Sequence, residues 1–76
     1  MSVKEKVDAV FKDAIGLDPK ENSDILIYND VPGWDSVAHM TLVAGLEDAF
    51  DCMLDMDDIL DMSSYQQALI IMAKYA

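Results

Sequence analysis

The stretch PGWDSVAHMTLVAGLEDAF, residues 32–50, contains the end of an irregular segment followed by a complete helical pattern. Pro32 and Gly33 are typical of turns. Asp35 is a preferred N-cap residue, and apolar residues then recur at helical spacing, so we predict a helix from about Ser36 to Phe50. The predicted apolar face of this helix consists of Val37, Met40, Val43, Ala44, Leu46 and Phe50.

Two further helices are predicted on either side of this stretch. The first covers about residues 3–15, ends at the C-cap residue Gly16, and carries an apolar stripe of Val3, Val7, Val10, Phe11, Ala14 and Ile15. The last begins near Ser63 or Ser64, because each serine has a glutamine three residues on, as in a capping box. Its stripe consists of Tyr65, Ala68, Leu69, Met72 and Tyr75.

The two connections differ in kind. Residues 16–34 form a long loop whose run DILIY has no strand to pair with, so Ile25, Ile27 and Val31 are predicted to anchor it on a helical core. Residues 51–62 hold a loop and a short helix around Asp57–Asp61, with Ile59 and Leu60 turned inward. Five methionines fall at or near predicted core positions, namely Met40, Met53, Met56, Met62 and Met72. We therefore predict one all-α domain, residues 1–76, built as a small four-helix bundle of three main helices and one short helix, with a long first loop.

The composition is strongly acidic, with fifteen carboxylates, five lysines and a net charge of −10. Such a charge repels nucleic acid and anionic membranes and favours partners with basic surfaces. The stretch between Glu21 and Ala73 contains no lysine or arginine to compensate the acidic run from Glu47 to Asp61. One interpretation is that this charge serves solubility alone. The absence of compensating cations near the acidic run favours a binding role instead.

Several functional classes are excluded by the residues present. One cysteine and one histidine, Cys52 and His39, cannot form a disulfide or a structural zinc site. The acidic run lacks the glycine and glutamate of an EF-hand, so no metal site is predicted. The longest apolar run, Ala68–Ala73, is too short to span a bilayer, and the charged N-terminus is not that of a signal peptide. We expect a soluble, cytoplasmic protein without membrane insertion.

Asp35 and Ser36 have different predicted roles at the start of the central helix. If Asp35 is the N-cap, Ser36 occupies the first helical position and its hydroxyl is not needed for capping. A phosphate on that hydroxyl would be stabilised by the helix dipole and by free N–H groups. The alternative is that Asp35 or Ser36 merely caps the helix.

The segment GWDSVAHMTLVAGLEDAF, residues 33–50, resembles the attachment segment of acyl carrier proteins and related peptidyl carrier domains. In that family an Asp-Ser-Leu or similar motif opens the second helix and a Leu-Glu-acidic-x-Phe pattern closes it. The corresponding residues are Asp35-Ser36-Val37 and Leu46-Glu47-Asp48-Ala49-Phe50. The resemblance extends over almost the whole chain, through the long loop, the acidic short helix and the final helix.

The resemblance implies a covalent cofactor, 4′-phosphopantetheine from coenzyme A, which a phosphopantetheinyl transferase attaches to Ser36. Its thiol would carry an acyl group as a thioester, while the protein itself would catalyse nothing. Partner enzymes that load and transfer the acyl group would dock on the motif residue Val37 and, through basic patches, on the acidic run. The predicted partner-contacting residues are Trp34, Val37, Met40, Glu47, Asp48, Asp57 and Asp58, on a chain that acts as a monomer.

Two residues near the motif have structural and functional interpretations. Trp34 either packs on the turn that contains Ala38 and His39, as in a hydrophobic staple, or contacts a partner. His39 is expected to be solvated or to face a partner, since no orienting acid or oxyanion hole makes it a catalytic partner of Ser36. Trp34 replaces the small residue usual in fatty-acid carriers, and no carboxylate precedes Glu47 in the helix, which indicates a specialised pathway. An aminoacyl or peptidyl carrier and an unmodified acidic interaction module remain the alternatives.

Overall fold

The computed structural model describes residues 2–75 of the chain. These residues form five helices: α1 (Val3–Ile15), α2 (Pro19–Asn22), α3 (Ser36–Phe50), α4 (Met56–Asp61) and α5 (Tyr65–Ala73). Within this range there is no strand, and one isolated antiparallel bridge joins Ile27 to Ser64. The prediction of a small all-helical fold with three main helices and one short helix is confirmed. The single turn of α2 adds regular structure to the predicted first loop.

Local capping defines the bounds of α1. The Ser2 hydroxyl accepts the Glu5 N–H at 3.1 Å, while the Glu5 carboxylate accepts the Ser2 N–H at 3.3 Å, which makes a reciprocal capping box. At the other end Gly16 adopts the left-handed conformation with φ 88° and donates its N–H to the Lys12 carbonyl. The predicted C-cap at Gly16 is therefore confirmed.

Leu26, rather than Ile25 or Ile27, anchors the first loop. Leu26 is fully buried, whereas Ile25 and Ile27 are 51% and 46% exposed, so the prediction for these two isoleucines was wrong. The loop backbone pairs with the start of α5: the Tyr28 N–H donates to the Ser63 carbonyl at 2.9 Å. This short extended pairing turns alternate side chains to opposite sides, which places Leu26 inward between two exposed neighbours. Val31 is half-buried against the core, as predicted.

Phe11 lies at the centre of the core. Its ring meets those of Trp34 and Tyr65 edge-to-face, with centroids 5.1 and 5.4 Å apart. All three side chains are buried, and they join α1, the end of the first loop and α5.

The buried face of α3 differs from the predicted one. Its buried residues are His39, Leu42, Val43 and Leu46, while Phe50 is half-buried. Val37 is 75% exposed, and Met40 and Ala44 are also exposed, so these three residues of the predicted apolar face do not belong to the buried face. Apolar residues occur around almost the whole circumference of α3, and the packing of α1 therefore decides which side is covered.

The short helix α4 also places fewer apolar side chains inside than predicted. Leu60 is 72% exposed and Ile59 is half-buried, so only Ile59 turns towards the core. Of the five methionines predicted at or near the core, Met62 and Met72 are buried, whereas Met40, Met53 and Met56 are exposed. A helix of six residues can cover only one narrow face, which leaves the apolar residues on its other face in solvent.

Candidate functional site

Ser36 is the first helical residue of α3 and is exposed. Asp35 is the N-cap, in an extended conformation, and its Oδ1 accepts the N–H of Ala38 at 2.9 Å. The predicted division between a capping aspartate and a serine without a capping duty is therefore the one observed. The preceding turn is fixed by the Asn29 N–H, which donates to the Trp34 carbonyl at 2.8 Å.

The start of α3 at Ser36 combines backbone N–H groups that lack a helical partner with one carboxylate, that of Asp35. The first N–H groups of an α-helix have no carbonyl partner within the helix and form the positive end of its dipole. The helix α3 has 15 residues and no acidic residue in its first turn, so nothing inside the helix neutralises that end. Asp35 satisfies one of these N–H groups from the side of the loop.

An apolar groove of about 260 Å³ begins at Ser36 and runs between α3 and α4. The side chains that line it are mostly methionines, aliphatic residues and aromatic rings. They belong to Tyr28, Ser36, His39, Met40, Met56, Ile59, Leu60 and Met62. On the other side of Ser36, a shallow open surface is formed by Val37, Met40, Thr41 and Ala44. The serine hydroxyl thus stands at the border of two apolar surfaces that carry no charged side chain.

Trp34 is a core residue, so its assignment as a partner-contacting residue was wrong. Its side chain is fully buried, and its indole Nε1–H donates to Nδ1 of His39 at 3.0 Å. The two rings are stacked, with centroids 6.0 Å apart. The structural interpretation of Trp34, as a ring that packs on the first turn of α3, is the one observed.

His39 is also buried, which corrects the expectation of a solvated or partner-facing ring. Its Nε2 lies 2.9 Å from the carbonyl oxygen of Ile59 in α4, and its ring lies 4.8 Å from that of Tyr28. Helical spacing alone did not place His39 inside, because a histidine is polar and the indole that satisfies it lies outside the helix.

The acidic residues assigned to partner contact fall into two groups. Asp48 and Asp57 are exposed, whereas Glu47 is half-buried and its carboxylate accepts the Leu54 N–H at 2.9 Å. Asp58 is buried and its two carboxylate oxygens are held by other side chains. Asp58 is therefore part of the fold, and its assignment to a partner surface was wrong.

The cation that holds Asp58 is Lys74, whose Nζ lies 2.7 Å from Oδ1, and the Tyr75 hydroxyl donates to Oδ2 at 2.5 Å. These two bonds stabilise the charged carboxylate and lower the pKa of Asp58 below its usual value. The expectation that the acidic run has no compensating cation was thus wrong for this residue. Lys74 follows Asp58 by sixteen positions in sequence, so local spacing gave no sign of it.

The structure of residues 2–75 gives little support to a reactive cysteine or to a metal site. Cys52 is half-buried, and burial together with the nearby charges of Glu47 and Asp51 raises the pKa of its thiol. That environment opposes a reactive thiolate. In the described range no three His, Cys, Asp or Glu side chains are grouped so that they could hold a metal ion. No helix in this range combines the length and apolar character needed to cross a membrane.

A scan against models of protein families gives no match, and a search of curated proteins gives none either. The functional conclusion therefore depends on the residues around Ser36 and on the motif they form.

Proposed function

We propose that this protein is an acyl carrier, which bears acyl groups as thioesters on 4′-phosphopantetheine attached to Ser36. The single observation that carries the proposal is the exposed Ser36 at the first position of α3, with Asp35 as its separate N-cap. A serine that merely capped the helix would stand one position earlier and would use its hydroxyl for the backbone.

The residues around Ser36 suit the proposed group in two respects. The phosphodiester would lie at the positive end of α3, where the helix dipole and the N–H groups of the first turn favour an anion. The uncharged arm beyond the phosphate would start at a groove whose walls include Met40, Met56 and Leu60. When bound, the group supplies the thiol that forms the thioester, and the chain positions it.

The lining of the groove favours an acyl cargo over an aminoacyl one. No charged side chain lines it, so it offers no partner to the ammonium group of an aminoacyl thioester. An alkyl chain in the same space would bury apolar surface against methionine side chains, which adapt to irregular shapes. We therefore rank the aminoacyl or peptidyl carrier second.

Partner enzymes would dock around Ser36 on two kinds of residue. Val37 and Met40 offer exposed apolar surface on α3, and Asp48 and Asp57 offer exposed charge. The proposed partners are a phosphopantetheinyl transferase and the enzymes that load and transfer the acyl group. With a net charge of −10, encounter with basic partner surfaces would be fast and salt-sensitive. The carrier would act as a cytoplasmic monomer.

The test is covalent modification in vitro. The apo protein is incubated with coenzyme A and a phosphopantetheinyl transferase of broad specificity, and its intact mass is recorded. We expect the mass of one phosphopantetheinyl group to be added to the wild type and to Ser63→Ala, whose exposed serine lies outside the motif. Ser36→Ala should gain nothing. An unchanged wild-type mass, or a gain in Ser36→Ala, would contradict the proposal.

The nature of the cargo is tested separately by loading from acyl-coenzyme A. Octanoyl and alanyl forms are prepared with the same transferase, and the methionine methyl resonances are compared by NMR. We expect the octanoyl form to shift the methyl groups of Met40, Met56 and Met62, which line the groove, and to leave that of Met53 unchanged. Equal shifts in the alanyl form would favour the aminoacyl carrier instead.

A further inference from the structure

His39 uses both of its ring nitrogens in hydrogen bonds to different parts of the fold. Nδ1 faces the indole N–H of Trp34 at 3.0 Å, and Nε2 faces the carbonyl oxygen of Ile59 at 2.9 Å. The ring also lines the groove that begins at Ser36, three residues earlier on the same helix. It therefore connects the core, α4 and the candidate site.

The two partners together define the protonation of the ring. An indole N–H can only donate, so Nδ1 of His39 must accept, while the Ile59 carbonyl can only accept, so Nε2 must donate. The neutral Nε2–H tautomer satisfies both bonds. A proton on Nδ1 would set two N–H groups against each other and would leave the buried indole without an acceptor. The arrangement therefore requires a neutral ring with its proton on Nε2.

We infer that His39 is a positioning residue for the Ser36 groove: Trp34 selects its tautomer, and its Nε2–H holds the Ile59 carbonyl and thereby keeps α4 beside α3. This inference concerns the groove itself and does not depend on whether Ser36 carries a cofactor.

The Ile59 carbonyl is a suitable point of attachment. The last four carbonyls of a helix lack a partner within it, and Ile59 falls in that part of α4. The bond from His39 thus gives a partner to an otherwise free carbonyl. The N-cap of α4, Asp55, makes no side-chain capping bond, so this short helix depends on bonds from its neighbours.

The other attachment of α4 lies on a different side. Asp58 is bonded to Lys74 and Tyr75, which follow α5. Those bonds hold α4 to the last helix, whereas His39 holds it to α3, where the groove opens. Loss of the His39 bond should therefore loosen the groove wall and leave the bonds to α5 intact.

Two substitutions separate positioning from packing. Glutamine carries its amide about as far from the backbone as imidazole Nε2, so His39→Gln can still donate to Ile59. Asparagine carries its amide only as far as Nδ1, so His39→Asn can accept from Trp34 but cannot reach Ile59. We expect His39→Asn to speed hydrogen exchange of the Ile59 and Leu60 amides about fivefold or more, and His39→Gln to stay close to the wild type.

The exchange of α1 amides measures global unfolding in each variant, and the α4 rates are compared relative to it, because His39→Gln leaves the Trp34 indole N–H without its Nδ1 acceptor. The methyl resonances of Met40 and Leu60, which both line the groove, should shift more in His39→Asn than in His39→Gln. Equal α4 exchange in the two variants would overturn the inference.

The tautomer gives a second, independent measurement that needs no destabilised variant. Long-range ¹H–¹⁵N spectra of the wild type should show His39 as the neutral Nε2–H form. In Trp34→Phe, which removes the donor and keeps an aromatic ring, the Ile59 carbonyl should still hold the proton on Nε2, while the ¹⁵N resonance of Nδ1 should shift because it no longer accepts the indole N–H. A wild-type ring protonated on Nδ1 would overturn the inference even if His39→Asn fails to fold.

Discussion

The hydroxyl of Tyr75 donates to Oδ2 of Asp58 at 2.5 Å, and thereby connects the segment after α5 to α4. Lys74 holds the other carboxylate oxygen at 2.7 Å. These two consecutive residues after α5 satisfy one carboxylate that would otherwise be buried without a partner. Stability of this end of the molecule therefore depends on the charge of Asp58.

The other end of α5 is attached by the same three residue types. Tyr65, the first residue of α5, donates its hydroxyl to Asp8 of α1, whose second oxygen lies 2.9 Å from Lys4. Burial and the bond to the Asp8 carboxylate raise the pKa of the Tyr65 hydroxyl. An aspartate, a lysine and a tyrosine thus hold the helix at each end.

The Asp58 attachment predicts a specific loss of stability in acid. Its pKa is lowered by the bonds from Lys74 and Tyr75, so it is below the ordinary value of 3.8 that applies in the unfolded chain. The corresponding stabilisation is complete above the unfolded value and is lost as pH falls from there through the folded value. We expect the melting temperature, followed by circular dichroism, to fall over that acidic range.

Two substitutions assign that loss to Asp58. Asp58→Asn should lower the melting temperature at neutral pH and flatten its decline in acid, because an amide has no charge to lose. Asp57→Asn changes the exposed carboxylate one residue earlier and should leave both nearly unchanged. An acid profile of Asp58→Asn that matches the wild type would contradict the prediction.

The capping role of Asp35 predicts an effect on stability that Ser36 does not share. Its carboxylate accepts the Ala38 N–H, so Asp35→Ala should cost about 1 kcal/mol in the free energy of unfolding, measured with urea. Asp35→Asn keeps a capping oxygen and should lower the free energy of unfolding by only about a few tenths of a kcal/mol. Ser36→Ala should be close to neutral, because the cap is made by its neighbour. A loss in Ser36→Ala as large as in Asp35→Ala would mean that the serine shares the capping role.

The sequence predicted the bounds of the long helices well because their ends are defined locally. Gly16 ends α1 and Asp35 starts α3 through bonds to residues only a few positions away. Ser64 similarly caps α5 by accepting the Gln67 N–H at 3.1 Å. The buried faces were less predictable, since α3 is apolar almost all round and only its neighbours decide which side is covered.

In the candidate site, too, the features that depend on local sequence were predictable, and those that depend on contacts between helices were not. Asp35 and Ser36 could be identified from the motif, because their roles depend on the start of one helix. The bond between His39 and Ile59 and the groove wall formed by Met56 and Leu60 depend on how α4 meets α3, which no local pattern describes. Met56 and Leu60 are four residues apart on α4, a spacing that indicates a shared face only once the helix is known to begin at Met56.

Leu26 offers a test of how the long loop is anchored. Because it is fully buried, Leu26→Ala should lower the free energy of unfolding by about 2–5 kcal/mol. Ile25→Ala, at a half-exposed position next to it, should cost far less because little buried surface is lost. Urea unfolding of both variants decides the matter, and equal costs would indicate that the isoleucine shares the anchoring.

Gly33, which precedes Trp34, gives the sharpest backbone prediction. Its φ of 93° disfavours any side chain, and a Cβ there would stand 2.7 Å from the carbonyl oxygen of Ile15. Gly16 has a similar φ of 88° but open space around its Cβ position, so Gly16→Ala measures the conformational cost alone, about 1–2 kcal/mol. Gly33→Ala should cost clearly more in urea unfolding, because the loop must also move away from the end of α1. Equal costs for the two variants would show that this loop shifts freely and does not fix the start of α3.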